Sequence, residues 1–203
     1  MGNEFPTIDI TKMTPQEKVM EMVGETARPG KACELSSGFI KEDEVVEIAN
    51  SLGISINEVK EAFLREVKAY NSKLYKPKHE PNNIRLGNPY TGTIHKAPHG
   101  KCVFLDKNHP NEHVCLLGEK MPLHCKMSVK GEHGEKLNAW YLLNHAVKAY
   151  DPHSLREWAI YLKTHPTIPG GQLEELVPSA DKLRSILESD DYHVEVQDTE
   201  NIN

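Results

Sequence analysis

Four cysteines have the most specific chemistry in this chain: Cys33, Cys102, Cys115 and Cys125. Thiolates select zinc or iron over magnesium and calcium, and four of them can hold one tetrahedral ion or an iron–sulfur cluster. Twelve residues separate Cys102 from Cys115, and nine separate Cys115 from Cys125. The sequence has no CxxC pair, the usual mark of a zinc knuckle. By spacing alone, the cysteines could equally fill a core as small apolar side chains.

The surroundings of the cysteines favour a ligand role. Each lies close to glycine, proline or histidine and outside the amphipathic helical patterns. Lysines flank them at four positions, Lys31, Lys101, Lys120 and Lys126. A divalent ion bound by four thiolates is negatively charged, and ammonium groups and loop amides stabilise such a centre. The sequence therefore predicts one metal site built from all four cysteines.

Histidines are the second group of candidate ligands. Seven of the eleven lie in the middle third of the chain, together with three of the cysteines. His99, His113 and His124 are close enough in sequence to replace a cysteine that points away. No nucleophile elbow and no HExxH helix accompanies them, so no catalytic residue is identified.

Size and composition indicate one globular domain. The chain has 203 residues, of which 38% are hydrophobic and 27% charged. Its net charge of −6 argues against nucleic acid as the main partner. There is no apolar run of about 18 residues that could span a membrane, and no secretory signal. The expected location is the cytoplasm, where thiols stay reduced.

Helix signals are strong on both sides of the cysteine-bearing region. Thr14 and Pro15 open a first helix, and a second runs from Val45 to Leu52 before the stop at Gly53. Ser55 and Glu58 form a capping box for a third, with Val59, Ala62, Phe63 and Val67 on one face. Two more helices follow Asp151 and Ser179, and 137–149 is also apolar on one side.

The middle of the chain, 71–134, lacks a regular pattern. Prolines and glycines interrupt it, and only 103–105 and 114–117 are typical of short strands. A compact domain seldom keeps so long an irregular segment without another source of stability, which a bound metal would supply. We therefore predict a mostly α fold, with helices around an irregular cysteine-bearing region and at most a short β-hairpin. The predicted organisation is an arm at 1–13, one domain at 14–188 and an acidic mobile tail at 189–203.

Three segments around the cysteines carry a family resemblance. They read Gly100-Lys-Cys102-Val-Phe-Leu-Asp106, His113-Val-Cys115 and Glu119-Lys-Met-Pro122-Leu-His-Cys125-Lys126. This series resembles the C-x-F-L, C-x-I and R-P-x-x-C-R pattern of the YkgJ-type cysteine-cluster family, the zinc- or iron-chelating domain. Segments beginning at Cys33 and at Lys163 are also similar, so the resemblance covers about 26–188. It implies a metal ion, zinc or iron, or an iron–sulfur cluster as cofactor.

The N-terminal cysteine box departs from the family pattern. That box reads C-x-x-C-G-x-C-C, whereas this chain has Thr26, Pro29 and Ala32 at the first three cysteine positions and keeps only Cys33. The resemblance thus implies a reduced site of four thiolates. One alternative is a degenerate member without metal that acts as an interaction module for a protein partner. Another is an iron–sulfur-dependent protein-modifying enzyme, because some proteins with this domain resemble flagellin lysine methylases.

Overall fold

Helices dominate the architecture, as predicted. A computed structural model describes residues 9–26, 33, 37–80, 85–87, 94–96, 101–106, 108, 114–127, 132–165 and 172–189. The helices are α1 (Gln16–Thr26), α2 (Glu42–Leu52), α3 (Ile56–Phe63), α4 (Leu123–Lys126), α5 (Glu132–His145), α6 (Pro152–Thr164), α7 (Leu173–Leu176) and α8 (Ala180–Glu188). The strands are β1 (Leu64–Ala69), β2 (Ser72–Pro77), β3 (Arg85–Gly87) and β4 (Ile94–Lys96). Within the described ranges, no helix is both long and apolar enough to cross a membrane.

Local capping explains where the predicted helices begin and end. Gly53 ends α2 in the left-handed conformation, with φ of 67°. The hydroxyl of Ser55 accepts from the N–H of Glu58, whose carboxylate accepts from the N–H of Ser55, so the capping box of α3 is confirmed. The side chains of Asp151 and Ser179 cap α6 and α8 by accepting from the N–H groups of Ser154 and Lys182.

The third predicted helix is too long. It ends at Phe63, and Val67 lies on β1 instead of on the helical face. The strands β1 and β2 form an antiparallel hairpin through Tyr70 and Asn71, which have φ of 52° and 54°. Two consecutive positive φ values match the right-handed twist of a hairpin. Because β2 falls within 71–134, that region is also more regular than predicted.

The two strands predicted at 103–105 and 114–117 form only one isolated bridge between them. Leu105 and Cys115 pair, the N–H of Asp106 donates to the carbonyl of Val114 at 2.7 Å, and that of Leu116 donates to Phe104 at 2.8 Å. Turns on either side limit the pairing. A second short antiparallel pair, β3 with β4, adds to the hairpin already described.

Two separate hydrophobic cores hold these elements. The helical core gathers α1, α5, α6 and α8, and Tyr141 and Trp158 are buried in it. The cysteine-side core gathers α2, α3 and the hairpin with Cys102, and Cys33 and Cys115 pack against it. Cys125 lies on α4, whose neighbours Leu123 and Met127 belong to the helical core.

Candidate metal centre

Cys102 and Cys115 lie on two facing turns. The bridge between Leu105 and Cys115 joins the turn after Cys102 to the start of the second turn, which continues into one turn of 3-10 helix at Gly118–Lys120. Cys102 is also tied to the hairpin side, because it bridges to His79. Backbone pairing thus fixes the main chain at both cysteines.

Cys33 and Cys125 come from distant parts of the chain. The N–H of Cys102 donates to the carbonyl of Cys33 at 2.9 Å. Cys125 packs against the backbone of Gly38 so closely that a Cβ there would lie 2.7 Å from the Cys125 nitrogen. None of the four cysteines, all of which the structure describes, forms a disulfide.

Backbone N–H groups lie close to three of the cysteine thiols. The N–H of Phe104 lowers the pKa of Cys102, those of Leu117 and Gly118 lower the pKa of Cys115, and that of Gly38 lowers the pKa of Cys125. These contacts favour the ionised thiolate, since a thiol sulfur is only a weak acceptor. The turns after Cys102 and Cys115 are therefore built to hold a negatively charged sulfur.

Burial opposes that charge when no cation is bound. It raises the pKa of Cys102 to about 12 and also raises the pKa of Cys115 and of Cys125. The charge of Cys125 interacts with those of Cys33, Cys102 and Cys115, and the charge of Cys102 interacts with those of Cys33 and Cys115. The four thiols therefore share one neighbourhood, and ionising one makes it harder to ionise the others.

Two buried hydroxyl groups near Cys125 lack a hydrogen-bond partner among the described residues. They are Ser37 Oγ, next to Gly38, and the hydroxyl of Tyr141. Burial, with the charges of Glu44 and Cys125, raises the pKa of Tyr141, which places this residue within reach of the thiol. Buried donors without acceptors are rare in folded proteins. Both are compatible with an additional negatively charged group at the cysteines.

Lys76 lies near the candidate site, although the sequence analysis did not identify it. It lies on β2, and its charge interacts with that of Cys125. The prediction named lysines flanking the cysteines in sequence, whereas Lys76 is 49 residues from Cys125 along the chain. The β1–β2 hairpin brings it there. Only knowledge of that hairpin could have found it.

His124 does not serve as a spare ligand in this arrangement. Its Nδ1 accepts from the N–H of Phe39 at 2.8 Å, so Nε2 carries the proton and donates to Asn138 Oδ1 at 2.8 Å. Its ring stacks on Tyr141 with 4.1 Å between centroids. Nδ1 thus joins α4 to the segment at Phe39, and Nε2 joins α4 to α5. His99 and His113 lie outside the described residues.

The same arrangement predicts how metal-free protein responds to acid. Burial lowers the pKa of His124 from 6.5 to about 4. Because the unfolded chain binds more protons between these values, the stability from neutral His124 is complete above pH 6.5 and lost as pH falls toward 4. We expect the free energy of unfolding in EDTA to fall by up to about 1.4 kcal/mol per pH unit in this window. Urea unfolding at several pH values measures it.

The control for this prediction compares two histidines. His124→Gln should flatten the pH dependence, while His153→Gln, at a partly exposed site on α6, should leave it as in the wild type. Equal slopes for wild type and His124→Gln would contradict the prediction.

A cavity of about 280 Å³ lies between α2 and the segment around α4. The carboxylate of Glu44 accepts from the N–H groups of Lys41 and Leu123 at 2.8 and 2.7 Å. Lys41 pairs with Asp43 at 3.2 Å, and Lys126 donates to the carbonyl of Glu119 at 2.9 Å. Glu44 thus joins α2 to α4, while Lys41 and Lys126 make contacts within their own segments.

The described side chains do not stand in ligand geometry. Within the part of the chain that the structure describes, no group of three or more His, Cys, Asp or Glu is arranged so that it could hold a metal ion. The cysteines are thus neighbours whose sulfur atoms would have to close around an ion. No protein-family model, curated protein or solved structure matches this chain.

Proposed function

We propose that this chain is a metal-binding protein in which Cys33, Cys102, Cys115 and Cys125 hold one zinc or iron ion, or an iron–sulfur cluster. The observation that carries the proposal is that the fold brings the four cysteines into one neighbourhood, in which backbone N–H groups lower the pKa of three of the thiols. Such donors stabilise thiolates, and buried thiolates need a cation. The resemblance to the YkgJ-type cysteine-cluster family supports the same proposal.

A bound ion would have a structural role at this position. It would join turns of the cysteine-side core to Cys125 on α4, beside the helical core. Zinc would supply four strong bonds without redox chemistry, whereas iron would add electron transfer. A reducing compartment such as the cytoplasm would keep the thiols available.

The test is elemental analysis of untagged protein purified without oxygen. We expect about one zinc per chain, or iron together with acid-labile sulfide. Cys102→Ser should reduce the metal content to near zero, because it removes a buried thiolate. Met127→Leu, a conservative change at a buried residue close to the site in sequence, is the matched control and should keep the wild-type content.

The rival is a metal-free interaction module, favoured by the lack of ligand geometry among the described side chains. It predicts wild-type protein without zinc or iron and with reactive thiols after mild unfolding. That result would reject the metal proposal. Visible absorption from thiolate-to-iron charge transfer, with acid-labile sulfide, would favour an iron–sulfur cluster over zinc. It would also favour the iron–sulfur-dependent protein-modifying enzyme over a purely structural zinc site.

A further inference from the structure

Lys76 lies over an aromatic column that leads to the cysteines. Its Nζ is 4.5 Å from the ring centroid of Phe39. The Phe39 ring stacks on His124 with 5.3 Å between centroids, and His124 directly precedes Cys125. Gly38, next to Phe39, packs so closely on Cys125 that a Cβ on it would lie 2.7 Å from the Cys125 nitrogen. Lys76 and Cys125 are therefore held on the two sides of one short segment, Gly38–Phe39.

No carboxylate balances the Lys76 charge among the described residues. Burial and then the nearby charge of Arg65 lower the pKa of Lys76, and the charge of Cys125 opposes this effect. By contrast, Lys73 on the same strand is exposed and pairs with Glu66 at 2.7 Å. A half-buried lysine without an acidic partner is unusual, since the charge is costly to desolvate. Cys125 is the group nearby that can supply a negative charge.

We propose that Lys76 compensates the negative charge of a metal–thiolate centre at Cys125 and so raises the affinity of the four-cysteine site for its metal. The inference rests on the proposed function. When zinc binds, four S–H bonds break, four protons pass to solvent and four sulfur–zinc bonds form. The resulting centre carries two negative charges in excess, which a nearby ammonium group stabilises. Lys76 would act through its positive charge and would not bind the metal, because an ammonium group has no lone pair to donate.

The experiment measures zinc affinity by competition with a chromophoric chelator. Lys76→Met keeps most of the aliphatic stem over Phe39 and removes the charge. We expect its dissociation constant to rise roughly tenfold or more, which is typical of changes next to metal ligands. Lys73→Met removes a charge from the same strand and should change the constant by less than about twofold, because exposed charges are screened. Lys76→Arg should restore most of the affinity.

A second measurement separates charge compensation from a packing role. In EDTA, Lys76→Met should be as stable as wild type or more stable, because it removes a poorly solvated cation. Loss of metal-free stability in parallel with affinity would overturn the inference in favour of packing. Equal zinc affinity in wild type and Lys76→Met, or equal weakening by Lys73→Met, would overturn it too. Wild-type protein that binds neither zinc nor iron would instead reject the proposed function, and the inference with it.

Discussion

Metal-free protein should unfold at a markedly higher temperature after one equivalent of zinc is added than in the presence of a chelator. An ion that binds only the folded state stabilises it by about 4 kcal/mol when its free concentration is 1,000 times the dissociation constant. For a chain of this size, that corresponds to a rise in Tm of roughly 8–16 °C. Differential scanning calorimetry with and without zinc measures it.

Proton release should accompany this stabilisation. Burial raises the pKa of Cys102, Cys115 and Cys125, so these thiols are protonated at neutral pH when no metal is present. Zinc binding at pH 7 should therefore release about three protons or more, which a pH indicator in weakly buffered solution would count.

Two controls make the zinc result specific. Cys102→Ser should show neither the rise in Tm nor the proton release. Magnesium should have no effect on the wild type, since it prefers oxygen ligands. A wild-type Tm that is the same in zinc and in chelator would contradict the expectation.

Gly38→Ala should have the largest effect of any single substitution proposed here that does not alter a cysteine. Its new Cβ would lie 2.7 Å from the nitrogen of Cys125 and 2.7 Å from the carbonyl carbon of His124. Both are backbone atoms, so no side chain can rotate away. Separation of the two segments would also weaken the N–H contact to Cys125 and the bond between Phe39 and His124. We expect a loss of about 3 kcal/mol in the free energy of unfolding.

Gly24→Ala is the matched control for Gly38→Ala. Gly24 lies within α1, and a Cβ there meets no atom within 4 Å. Because alanine favours a helix more than glycine does, this variant should gain up to about 1 kcal/mol. Urea unfolding of both variants in EDTA tests whether their free energies of unfolding change in opposite directions. A Gly38→Ala protein within about 0.5 kcal/mol of wild type would show that the segments separate without cost.

Local signals were enough for much of the helical part of the fold. Ser55 with Glu58, Gly53, and Asp151 before Pro152 mark helix ends through contacts that span only a few residues, and each acts as predicted. The hairpin was missed because its turn uses Tyr70 and Asn71 at positive φ, where a sequence signal would be glycine. Val67 fits both helical and strand periodicity, so tertiary pairing decided its conformation.

The candidate site was less accessible to sequence reasoning. The cysteines could be named, because their residue type and surroundings limit their chemistry. Gly38 and Lys76 could not, because each acts on Cys125 across a gap of more than 45 residues that only the folded chain closes. The four-cysteine ligand set itself stays a prediction.

The position of Cys125 at the boundary between the two cores bears on cooperativity. Without a shared ion, the two cores are joined by the β1–β2 hairpin, whose Leu74 packs in the helical core and Tyr75 in the cysteine-side core, and by the contacts of α4 with Gly38 and Glu44. Each core could then open as its own foldon, with a separate free energy. If cysteines beside both cores bound one metal ion, opening of either core would break the same sulfur–metal bonds. An ion at this boundary would thus add to the coupling between the two cores and favour two-state unfolding.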